Sequence, residues 1–204
     1  MEIDPAALSP TARYRLMISA VVPRPIAWTS TCDAAGRTNL APFSFFGAFS
    51  TAPPTVGVAP GLRKGIPKDT LRNLRETGEA VIAIPTASTV QAMVQSSADY
   101  SPEVSEFDAV GLTPRPAAVV KPPLVGEAAV NLECRVSKIV DIGPQSHLVL
   151  CEIVRFHVRD DVLADGASAT EPVIDPRRLQ AVARLGDLWY CRTTDLFEIA
   201  RPTV

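Results

Sequence analysis

The chain has 204 residues, of which 47% are hydrophobic and 21% charged, and it carries a formal net charge of −2. This length suits one domain, residues 1–204, with a core of its own, and the composition excludes a disordered chain. The slight negative balance gives no broad electrostatic basis for binding nucleic acid or an anionic membrane, so any anion site must be local.

The N-terminus, Met1-Glu-Ile-Asp-Pro5, lacks the basic and apolar stretches of a signal peptide. Arg24-Pro-Ile-Ala-Trp-Thr-Ser-Thr31 and Asn39-Leu-Ala-Pro-Phe-Ser-Phe-Phe46 read as two apolar strands joined by the polar turn Cys32–Arg37. Aromatic and β-branched residues between turn signals make core strands. The small hydroxyl residues and the aromatic cluster equally suit one face of a flat ligand. Residues Thr38 to Leu62 carry no charge and would be long enough to span a bilayer. Pro42, Pro53, Pro54 and Pro60 break that stretch, so it reads as strands and turns of a soluble, cytoplasmic protein.

Thr55–Ala59 follows as a short buried strand. Asp69–Thr77 reads as a helix, with Asp69 as N-cap, Leu71 and Leu74 on one face and Gly78 at the stop. Ala80–Ile84 is a strand, and Thr89–Gln95 a second short helix started by Ser88. Ser97 to Pro123 forms an excursion with few regular elements. Glu127–Val140 and His147–Val158 are the longest β-patterned runs, and Gly143-Pro144 marks a hairpin turn between them. Asp175–Leu179 reads as a short helix, and Leu188–Arg192 and Leu196–Ile199 as terminal strands. Long adjacent β runs favour antiparallel pairing and a barrel over a doubly wound sheet.

No G-x-G-x-x-G, G-x-x-x-x-G-K-[ST] or G-x-S-x-G motif is present. Cys32, Cys134, Cys151 and Cys191 form no C-x-x-C pair, so they read as buried free thiols of a reducing compartment rather than as a metal or dithiol site. His147 and His157 lie ten residues apart on one β run, and that spacing would put both on one side. One local feature suits an anion. Arg63-Lys64 precede the Gly65-Ile-Pro67 turn, and Lys68-Asp69-Thr70 enter the helix. Free backbone amides and a lysine at a helix start favour phosphate. A basic surface loop with an ordinary Asp cap fits the same residues.

Taken in order, these segments resemble the flavin reductase-like family of FMN-binding split barrels, in its flavoredoxin-like branch. The matching residues are the two strands above, Lys68 to Gly78, Ser97-Ala-Asp99, Glu106 to Thr113, Leu132-Glu-Cys134 and Arg184-Leu-Gly186. The resemblance implies a mostly β chain with a few short helices, built as a six-stranded antiparallel split barrel. It also implies a homodimer with FMN near the subunit interface. It places the flavin ring against Trp28, Thr29, Ser30 and Thr31 and against the run Pro42, Phe43, Ser44, Phe45 and Phe46, with Ala41 beside them. It places the phosphate among Thr29 to Thr31, Asn39, Lys68 and Thr70, with Arg63 and Lys64 next in line. Arg184 to Gly186 and Trp189-Tyr190 would reach a neighbouring site.

One departure matters. Where shorter relatives carry Gly-Asp-His before the late strand, this chain has Gln145-Ser146-His147, and a following Gly-Glu appears as Cys151-Glu152. The expected activity is that of an FMN-dependent oxidoreductase using NADH or NADPH, with His147 as the candidate catalytic contact to the donor. Reduced flavin would serve a monooxygenase or an electron-transfer partner. The alternative is an FMN-bound electron carrier without its own nicotinamide site. A flavoenzyme acting on an organic substrate, with the Ser97–Pro123 excursion over its pocket, is the third reading.

Overall fold

A computed structural model describes residues 1–63, 65–101 and 103–203. Helix α1 (Pro10–Ala20) leads into strand β1 (Ala27–Cys32), followed by β2 (Thr38–Phe43), β3 (Phe46–Thr51) and β4 (Pro54–Val58). Helix α2 (Asp69–Thr77), β5 (Glu79–Ala83), α3 (Val90–Gln95) and α4 (Glu106–Ala109) come next. Two long strands follow, β6 (Val130–Gly143) and β7 (Ser146–Val158). Helix α5 (Pro176–Leu179) and the pair β8 (Val182–Arg184) and β9 (Tyr190–Arg192) complete the chain. Among the described residues, no helix is long and apolar enough to cross a membrane.

Strands β1 to β7 form one antiparallel sheet in the order β2-β1-β5-β6-β7-β4-β3. Its two edge strands, β2 and β3, are consecutive in sequence and separated only by Ser44 and Phe45. Two residues span at most about 7 Å, so the sheet must curl until its edges meet. That curl makes a barrel whose wall is split between β2 and β3. The sheet has seven strands rather than the expected six, because the run Asn39–Phe46 breaks at Ser44-Phe45 and starts a further strand. Pro42 is tolerated because β2 pairs on one side only, and Pro54 because it opens β4.

The barrel interior holds Ala27, Phe43, Val56, Ile82, Leu132 and Val149, covered by Leu71 and Leu74 of α2. A second apolar layer on the other face of β1 and β5 contains Ile26, Trp28, Leu40, Met93 and Phe107. Cys32, Cys134 and Cys151 are buried free thiols, while Cys191 is half-buried. Burial pushes the Cys151 thiol up to about 12, so it stays protonated at neutral pH.

Several elements differ from the sequence reading. Helix α1 went unread because it buries only Ile18 and so shows little periodicity; its signal is Ser9, which accepts the Ala12 amide, followed by Pro10 at the first helical position. Lys68, not Asp69, is the N-cap of α2. The backbone is still extended at Lys68 (φ −61, ψ 156), and Asp69 in the first turn pairs with Arg72 at 2.6 Å. Gly78 closes α2 in the left-handed conformation, φ 69, as expected. Thr89 rather than Ser88 holds the cap position of α3. Leu188 and Trp189 belong to a tight turn in which the Leu185 amide donates to Trp189 and the Trp189 amide to Gly186. Strand β9 therefore starts only at Tyr190, and Leu196–Ile199 forms no strand.

The two histidines do not share a face. The pairing of β6 with β7 skips Val154, since Glu133 opposes Arg155 and Cys134 opposes Ile153. The extra residue reverses the alternation between His147 and His157. His147 has the parity of Val149 and Cys151, which face the barrel core. His157 shares the outer face with Glu133.

Glu133 is fully buried, and its carboxylate accepts the amides of Ala118 (2.8 Å), Val119 (2.7 Å) and Val120 (3.0 Å) as well as His157 Nε2 at 2.5 Å. Burial pushes this carboxylate up, but the His157 bond and the backbone amides outweigh it and hold it below the usual carboxylate range. A depressed carboxylate adds stability above its unfolded value, about 4.3, and that stability disappears as pH falls through the folded value. Glu133→Ala is expected to cost about 3 kcal/mol at pH 7. Denaturant titrations at stepped pH should show wild type converging on the variant in acid. A constant gap at every pH would mean that the carboxylate charge does not hold the segment.

Candidate functional site

The start of α2 opens into a cleft of about 300 Å³ against the edge strand β2. Asn39, Ala41, Pro42 and Phe43 form one wall, Arg63 and Ile66 to Thr70 a second, and Ser96 to Tyr100 with Glu106 the third. The third wall is the beginning of the Ser97–Pro123 excursion, so that segment does border a pocket.

The local folding explains these positions. Lys68 caps α2 without a side-chain hydrogen bond, so the first-turn amides of α2 receive no cap from it. Its ammonium lies 5.3 Å from the centre of the Phe43 ring. Burial pulls the Lys68 ammonium below its usual range, the Arg63 charge adds to this, and Asp99 opposes it. Behind this surface runs a polar lattice. Asn39 Nδ2 donates to Thr70 Oγ1 at 3.0 Å and to Thr31 Oγ1 at 3.3 Å, and Asn73 Nδ2 donates to Thr31 Oγ1 at 3.1 Å. The lattice locks the first turn of α2 to β1 and β2.

The acidic groups of the cleft are engaged. Asp69 pairs with Arg72, and Asp99 with Arg63. Glu106 accepts the Leu40 amide at 2.9 Å, and burial raises its carboxyl above the usual value while that amide opposes the shift. With those carboxylates occupied, Lys68 is the cation of the cleft with no carboxylate partner among the described residues.

A second cleft, of about 390 Å³, lies beyond Pro42 and Ser97, which line both. Ser44, Ile26, Met93, Arg24, Arg184 and Tyr190 border it. Arg24 is 7% exposed and ties three segments together by donating to the carbonyls of Ile18 (2.5 Å), Val21 (2.6 Å) and Leu185 (2.9 Å).

The structure brings Asn39, Ala41, Pro42, Arg63, Lys68 and Thr70 together around the first cleft and sets Ser44 in the second. Trp28 is fully buried in the outer apolar layer, where its indole donates to Ser96 at 2.9 Å; it supports the cleft wall from behind. Thr29, Ser30 and Thr31 are also fully buried. Thr29 bonds the Ala27 carbonyl, Thr31 joins the lattice, and Ser30 Oγ has no hydrogen-bond partner among the described residues. Phe46 packs on the barrel core, and Phe45 is exposed; neither borders a cleft. Lys64 lies outside the described residues. His147 stands near the β6–β7 hairpin, bonded to Asp141 at 2.6 Å and 3.3 Å from Arg75, and borders neither cleft.

Sequence reasoning missed Glu106, Asn73, Ser96 and Arg72. Glu106 had a signal, an acidic residue behind Ser105 at a helix start. Arg72 had one too, its i,i+3 spacing from Asp69 on the helix, whereas Asn73 and Ser96 act through tertiary contacts and leave no local pattern.

The family model described as "Flavin reductase like domain" matches residues 18–179. An uncharacterized protein of Halalkalibacterium halodurans is 38% identical over 210 residues, covering 100% of this chain and 98% of that protein. The crystal structure of nitrilotriacetate monooxygenase component B from Bacillus cereus is 30% identical with a TM-score of 0.91, covering 98% of each chain. That of 2-nitrobenzoate 2-nitroreductase from Pseudomonas fluorescens is 30% identical with a TM-score of 0.89, covering 100% of this chain and 97% of that one. The chain therefore belongs to the flavin reductase-like family, among split-barrel proteins whose solved members include oxidoreductases.

Proposed function

We propose that this chain, taken as one flavin reductase-like domain, is an FMN-dependent oxidoreductase that uses NADH or NADPH. The observation that supports it most is the start of α2, where first-turn amides without a side-chain cap and the Lys68 ammonium face a cleft walled by Pro42 and Phe43. Helix-start amides and a partly desolvated ammonium suit a phosphate. Asp69, Asp99 and Glu106 are each bonded elsewhere and so oppose an anion less than free carboxylates would. The residues of the first cleft thus fit FMN, with Lys68, Thr70 and Asn39 toward its phosphate, Arg63 next in line, and Ala41 to Phe43 toward its ring. Trp28 to Thr31 would act from behind that surface. When bound, FMN supplies two-electron chemistry, accepting hydride from a nicotinamide. The protein's part is to bind and orient the rings, since this transfer needs alignment more than a side-chain base.

A phosphate at α2 predicts unequal losses. Lys68→Ala is expected to weaken FMN about ten- to a hundredfold, the loss of one charge-assisted contact. Riboflavin, which lacks the phosphate, should bind the variant as it binds wild type. Paired fluorescence titrations measure both, and equal losses would move the phosphate elsewhere.

One observation favours a second reading, an FMN-bound electron carrier. Gln145-Ser146 stand where a Gly-Asp precedes the histidine in shorter relatives, and His147 is held by Asp141 away from both clefts. Steady-state oxidation of NADH and of NADPH with added FMN separates the two. The reductase reading expects sustained turnover with at least one donor. Negligible turnover with both, together with reduction by a protein partner, would establish the carrier.

Component B of a monooxygenase is among the similar structures, so the supported recipient of reduced flavin is a flavin-using monooxygenase. A homodimer is part of the same proposal. Phe45 and Phe49, 41% and 60% exposed near the split in the barrel, need cover. Light scattering at micromolar concentration should give twice the chain mass of 21.8 kDa, and a value at one chain mass would refute the dimer.

A further inference from the structure

The second cleft has an apolar floor and a rim that carries two arginines and Asp187. Ile26 and Met93 in its floor are buried. Arg24 and Arg184 both border it, and among the described residues neither forms a salt bridge to a carboxylate. Arg24 is committed to three backbone carbonyls. Arg184 is not. Its guanidinium lies 4.5 Å from the centre of the Tyr190 ring and donates to the Tyr190 hydroxyl and to the Asp187 carbonyl. A guanidinium has five N–H groups, so three have no hydrogen bond among the described residues.

The support behind Arg184 is rigid. Asp187, left-handed at φ 49, belongs to the tight turn from Leu185 to Trp189 that holds its carbonyl against the guanidinium. Strand β8 carries Arg184, pairs with Tyr190 in β9, and exchanges two backbone hydrogen bonds with Arg24. Burial lowers Arg24 from its ordinary value, and the Arg184 charge lowers it further while Tyr14 opposes. Two guanidinium charges and the Asp187 carboxylate thus border one cleft; among the described residues Asp187 forms no salt bridge with either arginine, and Arg184 keeps N–H groups without a hydrogen bond. A planar guanidinium face is matched to the oxygens of a carboxylate or a phosphate.

We propose that the second cleft binds a small organic anion, with its carboxylate or phosphate on Arg184 and its apolar body on Ile26 and Met93, next to the α2 cleft across Pro42. The proposal rests on the flavin reading of the α2 cleft and names the chemistry of the second ligand. That ligand is either a carboxylate-bearing organic substrate or a phosphate-bearing nicotinamide donor.

The test uses the full chain, with and without FMN, titrated calorimetrically with benzoate and with its neutral counterpart benzamide. Benzoate is expected to bind roughly tenfold or more tightly than benzamide, the scale of a charge-assisted contact. Arg184→Met should abolish that preference while FMN binding stays as in wild type. Tyr190→Phe keeps the aromatic stack and frees one more N–H, so it should retain the preference even if Arg184→Met fails to fold. Equal binding of the two probes to wild type, a parallel loss of both in Arg184→Met, or a lost preference in Tyr190→Phe would each overturn the proposal.

Kinetics with NADH and NADPH separate the two sources. A donor phosphate in the cleft makes benzoate compete with the dinucleotide, and Arg184→Met then raises KM with kcat held. An organic carboxylate leaves donor KM unchanged while benzoate perturbs the flavin absorption band. Benzoate discrimination without flavin binding would leave the second cleft standing and overturn the flavin reading. Flavin binding without benzoate discrimination would do the reverse.

Discussion

The two-residue passage from β2 to β3 is the constraint on which the rest depends. Ser44 and Phe45 join the two edges of a seven-stranded sheet, so the sheet has to close on itself. Closure creates an enclosed core, and α2 seals it with Leu71 and Leu74. It also leaves an edge strand, β2, whose outer side is unpaired by any other strand of the sheet. That edge presents Asn39, Ala41 and Pro42 to the first cleft, and the passage itself presents Ser44 to the second. Both clefts are products of one topological seam.

Electrostatics then distinguishes the two clefts. In the first, arginines pair with Asp69 and Asp99, the Leu40 amide engages Glu106, and a partly desolvated lysine remains against helix amides that its own side chain does not cap. Its positive potential comes from backbone dipoles and one side chain. In the second, the positive charge is carried by arginines held on carbonyl oxygens and an aromatic ring. Carbonyls orient a guanidinium without neutralising it. A chain with a net charge of −2 thus places cationic side chains without a carboxylate partner, among the described residues, in two adjoining depressions.

Much of this was legible in the sequence, for reasons that differ by element. Strands β1, β2 and β4 to β7 show as apolar or alternating runs, and α2 shows through its Leu71–Leu74 face and Gly78. Of the first cleft, the helix start at Lys68 to Thr70 was legible as an anion-suited turn and the edge strand through the family resemblance, while Ser96 and Glu106 on the third wall were not. Helix α1 was not legible, since it buries one side chain and has no apolar stripe. The seam at Ser44-Phe45 hides inside a continuous apolar run, and only pairing with β4 reveals it. The burial of Trp28 to Thr31 was also hidden, because a strand covered on both faces reads like one facing a ligand. The opposite orientation of His147 and His157 depends on one unpaired residue, Val154, which leaves no trace in composition.

The Ser97–Pro123 excursion is fastened at both ends. Near its start, Ser96 is bonded to the Trp28 indole, and near its finish, Ala118 to Val120 are bonded to Glu133. Between them α4 is pinned as well, by Phe107 in the outer apolar layer and by Glu106 on the Leu40 amide, so length is unconstrained only in the stretches that flank α4. Closing such a stretch costs only about 0.6 kcal/mol more for each doubling of its length. Insertions or deletions in those flanking stretches would therefore reshape one wall of the cleft at little expense to the fold. In evolutionary terms, this arrangement separates the shape of a cleft wall from the maintenance of the barrel.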